Sequence, residues 1–379
     1  MLEKARIIGP SIDERESSIL APYAMLSRDS QGRRHAEPPH PYRGPFQRDR
    51  DRIVHSSAFR RLSGKMQVFT GEMGDYHRTR LTHSMEVASI ARTIGRALRL
   101  NEDLIEALAL LHDIGHPPYG HTGEQVLHEC LVDHGGFSHN RFALTLVEDL
   151  EQRYPQFPGL NLSLELLEGQ STRVEKGGAG PAPLLEVQVV EAADSMTYNA
   201  HDLDDALKLS MVPFDELSQV PMVDGLIALL RPVATGSDAG MMRKTLVHSL
   251  IEYQVGDLVS CSSARLNAAG CGSAAEARQK GVLIGLGPAL LQEKVGLESF
   301  LRERVYRHDR LRAIRKRVRN QMLWMFDCFG SHPEWLPPQF QQRARERGLR
   351  PVVGEYLAGM TDRFFQQQYR RHRLIRRQA

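Results

Sequence analysis

Sixteen histidines are spread along this 379-residue chain, and any one of them taken alone is unremarkable. The informative ones stand beside carboxylates at the ends of apolar runs. His112 and Asp113 close the run Ala107 to Leu111 (LLHDIGHPP), Asp194 follows Val187, Val189, Val190, Ala192 and Ala193, and His83 lies in RLTHSMEVA. An imidazole and a carboxylate buried in such a place are costly unless compensated, and a cation compensates them well. Two imidazoles with two carboxylates form a mixed nitrogen and oxygen set. That set suits Mn²⁺, Fe²⁺, Co²⁺, Ni²⁺ or Mg²⁺ with open positions better than a closed structural zinc site. A cation there would polarise a phosphoryl oxygen.

Just downstream, His116, His121 and Glu124 fall in HPPYGHTGE, a segment bent by prolines and glycines. His121 and Glu124 are one helical turn apart, so imidazole and carboxylate can meet. That pairing orients the ring for general acid or base work near neutral pH. Beyond Asp194, Tyr198 and Asp202 continue at four-residue steps on the same helix face, with His201 close to it. Tyr198 can bond a phosphate or sugar oxygen and Asp202 a sugar hydroxyl. Arg80 lies three residues before His83, and arginine is the natural partner of a phosphate. Upstream, SSAFRRLSGKMQVF adds Arg60, Arg61 and Lys65 as positive charge and Gln67 as an amide.

Helices must position these groups. Leu81, Met85, Ala88, Ile90, Ile94 and Leu98 recur at helical spacing, with Arg92, Arg96 and Arg99 off the stripe. Asn101 is a suitable N-cap for NEDLIEALALLHDIG, and Pro117 and Pro118 end that helix. Further helices are predicted over Gly123 to His134, Asn140 to Gln152 and Leu185 to Ser210. A loop is predicted at Lys176 to Pro183 (KGGAGPAP), and later breaks near Pro221, Gly236, Gly285 to Pro288 and Pro337. The fold class is all-α. Residues 1–49, rich in Pro, Arg and Ser, read as an irregular arm. Residues 50–210 carry the chemistry, and 211–379 complete the body with C-terminal helices.

Charged residues make up 25% and the hydrophobic set 41%, with net charge +3, which is ordinary for a globular protein. No apolar run is long enough for a membrane span. Scattered cysteines, and an N-terminus without a signal-peptide pattern, point to a reducing cytoplasm. The basic segments Arg302 to Arg319 and Arg370 to Arg377 suit either a polyanion or a solvated helix face.

The order His83, His112–Asp113, Asp194 resembles the signature of the HD phosphohydrolase superfamily. More narrowly, SSAFRRLSGKMQVF, RTRLTHSMEVA, LLHDIGHPPYGHTGE with GGFSHN after it, and ADSMTYNAHDLDDAL resemble the bacterial dGTP triphosphohydrolase family and its vertebrate dNTP-hydrolysing relative. Weaker likeness continues in VYRHDR and EYLAGMTDR. The resemblance implies an HD-domain helical core in which His83, His112, Asp113 and Asp194 hold one divalent metal. It makes His121 and Glu124 the catalytic pair and puts His116 and His139 near the phosphates. It also places Arg80 and Tyr198 on phosphate, Gln67 and Asp202 on deoxyribose, and Arg61 among the substrate contacts.

The implied reaction converts a dNTP and water into deoxynucleoside and intact triphosphate, in a homo-oligomer (hexamer or tetramer) that a second dNTP can activate. The sequence departs from the family at Phe142 and Ala143, where a Gln-Ser pair is expected, and at Ser195, where an acidic residue is common. The Gly-rich stretch from Lys176 to Pro183 replaces a segment that usually carries a Lys-His pair. These departures bear on substrate preference and activation. Two other readings stand beside this one. One is an HD phosphohydrolase acting on a nucleoside monophosphate or cyclic nucleotide, and the other a nucleotide sensor that binds single-stranded nucleic acid.

Overall fold

The computed structural model describes residues 9–67, 78–174, 181–231 and 238–378. Lys176 to Gly180 of the predicted loop, the predicted break at Gly236, and Val68 and Phe69 of the first sequence block lie outside them. So do the side chains of Arg376 and Arg377. Among the described residues the protein is almost wholly helical, and β-structure is limited to isolated bridges such as Met66–Thr79.

The N-terminal half comprises α1 (Ile12–Ile19), α2 (Pro45–Val54), α3 (Ser57–Arg61), α4 (Arg80–Ala97), α5 (Glu102–Leu111), α6 (Gly120–Cys130), α7 (His139–Thr145), α8 (Leu164–Val174) and α9 (Leu185–Lys208). After it come α10 (Pro221–Leu230), α11 (Ala239–Ala269), α12 (Ala274–Gln279), α13 (Pro288–Phe300), α14 (Asp309–Ser331), α15 (Pro338–Arg347), α16 (Leu349–Ala358) and α17 (Asp362–Gln378).

Helix α5 is the hub. The Asn101 side chain accepts from Leu104 N–H at 3.2 Å, as its N-cap position predicts. Leu104, Ile105 and every residue from Ala107 to Leu111 are buried, because α2, α4, α8 and α9 pack around it. The crossing with α4 is close: a Cβ on Gly95 would stand 2.3 Å from Ile105 Cδ1. Where α4 faces inward its first turn is polar, with Arg80, His83 and Ser84 buried ahead of Val87, Ala91 and Ile94. Of the apolar stripe read from sequence, Ala88, Ile94 and Leu98 are buried, while Met85 is left 59% exposed.

Three predicted helices end early: α5 stops at Leu111, short of Pro117 and Pro118. Helix α6 stops at Cys130 and continues as a 3₁₀ turn, while α7 passes into a π-helical turn at Leu146–Leu150. Within the arm, α1 forms on a capping box between Ser11 and Glu14. The arm also holds a 3₁₀ turn at Ser27–Asp29 and the start of α2, so it is less irregular than its composition suggests. It is tied down where Arg33 pairs with buried Asp49 and Met25 N–H donates to Glu186 at 2.9 Å.

Candidate active site and metal centre

Three helices bring the first group together. His83 comes from the first turn of α4, His112 and Asp113 from the end of α5, and Asp194 from the middle of α9. His83 Nε2 lies 3.1 Å from Asp194 Oδ1, and His112 Nε2 lies 3.6 Å from the same oxygen and 3.4 Å from Asp113 Oδ1. Ligand-capable atoms of His83, His112 and Asp113 all fall within 4.8 Å of one another.

The outer oxygens are held by arginines: Arg80 donates to Asp113 Oδ2 and Arg173 to Asp194 Oδ2, each at 2.7 Å. Both Oδ1 atoms are thereby turned toward the imidazoles. His112 Nδ1 sits 2.6 Å from Ala109 O, so that nitrogen carries the proton and Nε2 keeps its lone pair. Nε2 is buried with no hydrogen-bond partner among the described residues. A buried lone pair facing two carboxylates fits a divalent cation and is costly without one. Burial lowers the pKa of His112, which keeps it neutral as a ligand must be. Burial raises the Asp113 carboxyl, but His116, His112 and Arg80 outweigh it and hold it well below the usual range.

The second group adjoins the first. His116 Nδ1 is 3.0 Å from Asp113 Oδ1, and its ring stacks on His139 with centroids 3.7 Å apart. Glu124 joins two imidazoles, with Oε2 at 3.2 Å from His121 Nδ1 and Oε1 at 2.7 Å from His139 Nδ1. Burial opposes ionisation of Glu124, but bonds from His121 and His139 prevail and hold it far below the carboxylate norm. This carboxylate can orient both rings for proton transfer, and the four groups are close enough to share a cation. Gly115 makes the assembly possible, because a Cβ there would lie 2.0 Å from His139 O. His139 reaches Glu124 only because α7 presses on the chain at Gly115.

His83, Asp113 and Asp194 of the first group and His116, His121 and His139 of the second line one cavity of about 540 Å³, together with Gln67, Arg80, Tyr198, Arg173, Tyr306 and Arg315. Gln67 is buried, and its Oε1 has no hydrogen-bond partner among the described residues. Asp202 lies outside the lining, fully buried behind it, where Tyr306 donates to Oδ2. Burial lifts its pKa from 3.8 to about 7. A carboxyl raised by folding costs nothing below its unfolded pKa and destabilises increasingly as pH climbs to its folded one. Asp202→Asn should therefore gain stability over the parent by roughly 4 kcal/mol between about pH 4 and pH 8. Denaturant melts at both pH values would show this, and parallel pH profiles would refute it.

His201 sits behind His83, with ring centroids 5.7 Å apart, and pairs with Glu86.

Arg61 is not brought to this cavity. After α3 the chain makes a 3₁₀ turn at Leu62–Gly64 before reaching Gln67, so Arg61 emerges on the opposite side, in a separate cavity. Three residues with no role in the sequence reading appear instead. Arg173 has no local pattern to mark it. Tyr306 lay in the weak VYRHDR likeness, and Arg315 in the basic segment. That segment is largely engaged within the chain: Arg304 pairs with Glu216, Arg307 with Glu303 and Arg319 with Glu129, while Arg315 donates to Tyr306 O. Ser195, where an acidic residue is usual, accepts from buried Lys294 at 2.5 Å.

Comparison with known proteins follows the same outline. Residues 80–199 match the HD domain model, and residues 284–371 match the phosphohydrolase-associated domain. A deoxyguanosinetriphosphate triphosphohydrolase-like protein of Geobacter sulfurreducens is 39% identical over 367 residues, 94% of this chain and 95% of its own. Proteins described in the same words from Ralstonia nicotianae and Thiobacillus denitrificans are each 40% identical, covering 93% of this chain and 94% and 96% of theirs. The chain belongs to this HD-domain family. Its HD region supplies His83 through Tyr198, and the phosphohydrolase-associated region supplies Tyr306 and Arg315, so this HD protein builds its cavity from both. Among the described residues no helix is long and apolar enough to cross a membrane.

Proposed function

We propose that this phosphohydrolase is a metal-dependent dNTP triphosphohydrolase that releases deoxynucleoside and intact triphosphate. One observation carries the reading. A single cavity is lined by His83, Asp113 and Asp194, with His112 behind them, and by His121 and His139, which Glu124 joins, with Arg80, Arg173, Arg315 and Tyr198 for phosphate and Gln67 for sugar. The names of the relatives support the nucleotide class.

A divalent cation held by the first group would supply Lewis-acid polarisation of a phosphoryl oxygen. The protein's own side chains do the remaining work. Arg80 and Arg173 draw charge from the triphosphate while fixing the carboxylates. Water adds to the α-phosphorus as the bond to the 5′ oxygen breaks. His121, oriented by Glu124, delivers a proton to that departing oxygen. Triphosphate leaves whole because neither bridging bond between phosphates is broken.

The test is to incubate the protein with each dNTP, singly and mixed, with Mn²⁺ or Mg²⁺, and identify the phosphate product. Intact triphosphate is expected. Turnover confined to mixtures would point to activation by a second dNTP. Pyrophosphate or orthophosphate would overturn the reaction assigned here.

A further inference from the structure

The cavity that receives Arg61 is larger than the candidate active site, at about 790 Å³, and lies on the far side of α7. Its volume falls in the range of pockets that enclose a small organic molecule. Its lining is mixed: Phe142, Leu146, Phe340, Tyr356, Met360 and Phe364 supply apolar and aromatic surface, beside the charged Arg61, Arg343, Asp149, Glu151, Glu346 and Glu355. Phe364 is 39% exposed and lines this cavity.

The charges on its rim are not equally satisfied. Arg343 pairs with both Asp149 and Glu355, at 2.6 and 2.5 Å. Glu151 is committed to the start of α3, accepting from Ser57 N–H at 2.9 Å and Ala58 N–H at 2.7 Å. Arg61 is left with Glu151 at 3.7 Å, makes no side-chain hydrogen bond among the described residues, and has a buried Nε without a partner. Its side chain is 37% exposed, so the shortage of acceptors is confined to the buried Nε edge that faces the cavity. Burial lowers its pKa, and Glu151 only partly restores it.

We infer that this cavity is a second binding site, separate from the candidate active site, for a small molecule with a flat aromatic body and one anionic group. The aromatic body lies among Phe340, Tyr356 and Phe364, and a phosphate or carboxylate takes the free donors of Arg61 in the paired geometry that guanidinium offers. The site shares its walls with the active-site framework. On α7, His139 and Asn140 line the first cavity and Phe142 the second, and Thr361 of this cavity directly precedes Asp362, which accepts from Tyr119 N–H at 3.0 Å.

Calorimetry on the full chain with 1-naphthyl phosphate and 1-naphthoate tests the inference without reference to turnover. At least one probe should bind at one site per chain, and the better binder shows whether phosphate or carboxylate is the preferred group. Affinity should fall about tenfold or more in Arg61→Ala, the loss of a charge-assisted bond. It should also fall in Gln342→Trp, which fills the rim from an exposed position and leaves Arg61 in place. Tripolyphosphate, directed at the first cavity, should leave binding unchanged. The inference is overturned if neither probe binds, if both variants bind as the parent does, if uncharged 1-naphthol binds equally well, or if tripolyphosphate displaces the probe.

Discussion

Replacing His121 with alanine should lower kcat by about 10³-fold while leaving metal content and melting temperature close to those of the parent, the usual scale for losing a positioned general acid. The separation of effects follows from where His121 stands. Its side chain is 61% exposed and its one hydrogen bond among the described residues is with Glu124 at 3.2 Å, so removing it opens no buried void and unpairs no buried charge. Glu124 stays in place because His139 holds its other oxygen through both backbone N–H and ring, at 2.8 and 2.7 Å. Steady-state kinetics with elemental analysis of the same sample would decide the matter. Turnover within tenfold of the parent would remove His121 from the chemistry. Metal lost with the side chain would mean that the two groups form one site.

Asp113→Asn should remove both metal and activity, the latter by about 10³-fold or more given several kcal/mol of cation stabilisation. It should also cost the folded state about 3 kcal/mol in metal-free protein, because Arg80 keeps its charge in a buried place without its carboxylate. The comparison with chelation is the informative part. In the metal-free parent the two carboxylates are each paired with an arginine, Asp113 with Arg80 and Asp194 with Arg173, so stripping the metal should leave a folded protein. Chelator-treated parent should therefore melt above Asp113→Asn under the same conditions. Equal melting temperatures would show that the arginines do not balance the site.

Much of this site could be read from local sequence, and the parts that could not share one property. The N-cap at Asn101, the apolar run ending in His112–Asp113 and the one-turn spacing of His121 and Glu124 are local facts, and the structure shows each where local chemistry puts it. The stripe on α4 held at Ala88, Ile94 and Leu98 and missed at Met85, where hydrophobicity was taken as the mark of the inward face. The first turn of that face is polar, since it helps to build the cavity, and apolar Met85 is turned outward instead.

The sequence by itself determined the all-helical class, the helix ends that present the histidines and carboxylates, and the chemistry those groups offer. Caps, periodicity and i to i+4 contacts depend only on neighbours in the chain. Tertiary structure decided which distant side chains meet them. Arg173 rather than Arg61 reaches the site, Tyr306 finds Asp202 across 104 residues, and Asp202 is withdrawn from the cavity behind Tyr198 and Tyr306. One arginine among many has no sequence mark that sets it apart. Its role comes from how helices pack, and a 3₁₀ turn of three residues was enough to send Arg61 to another cavity.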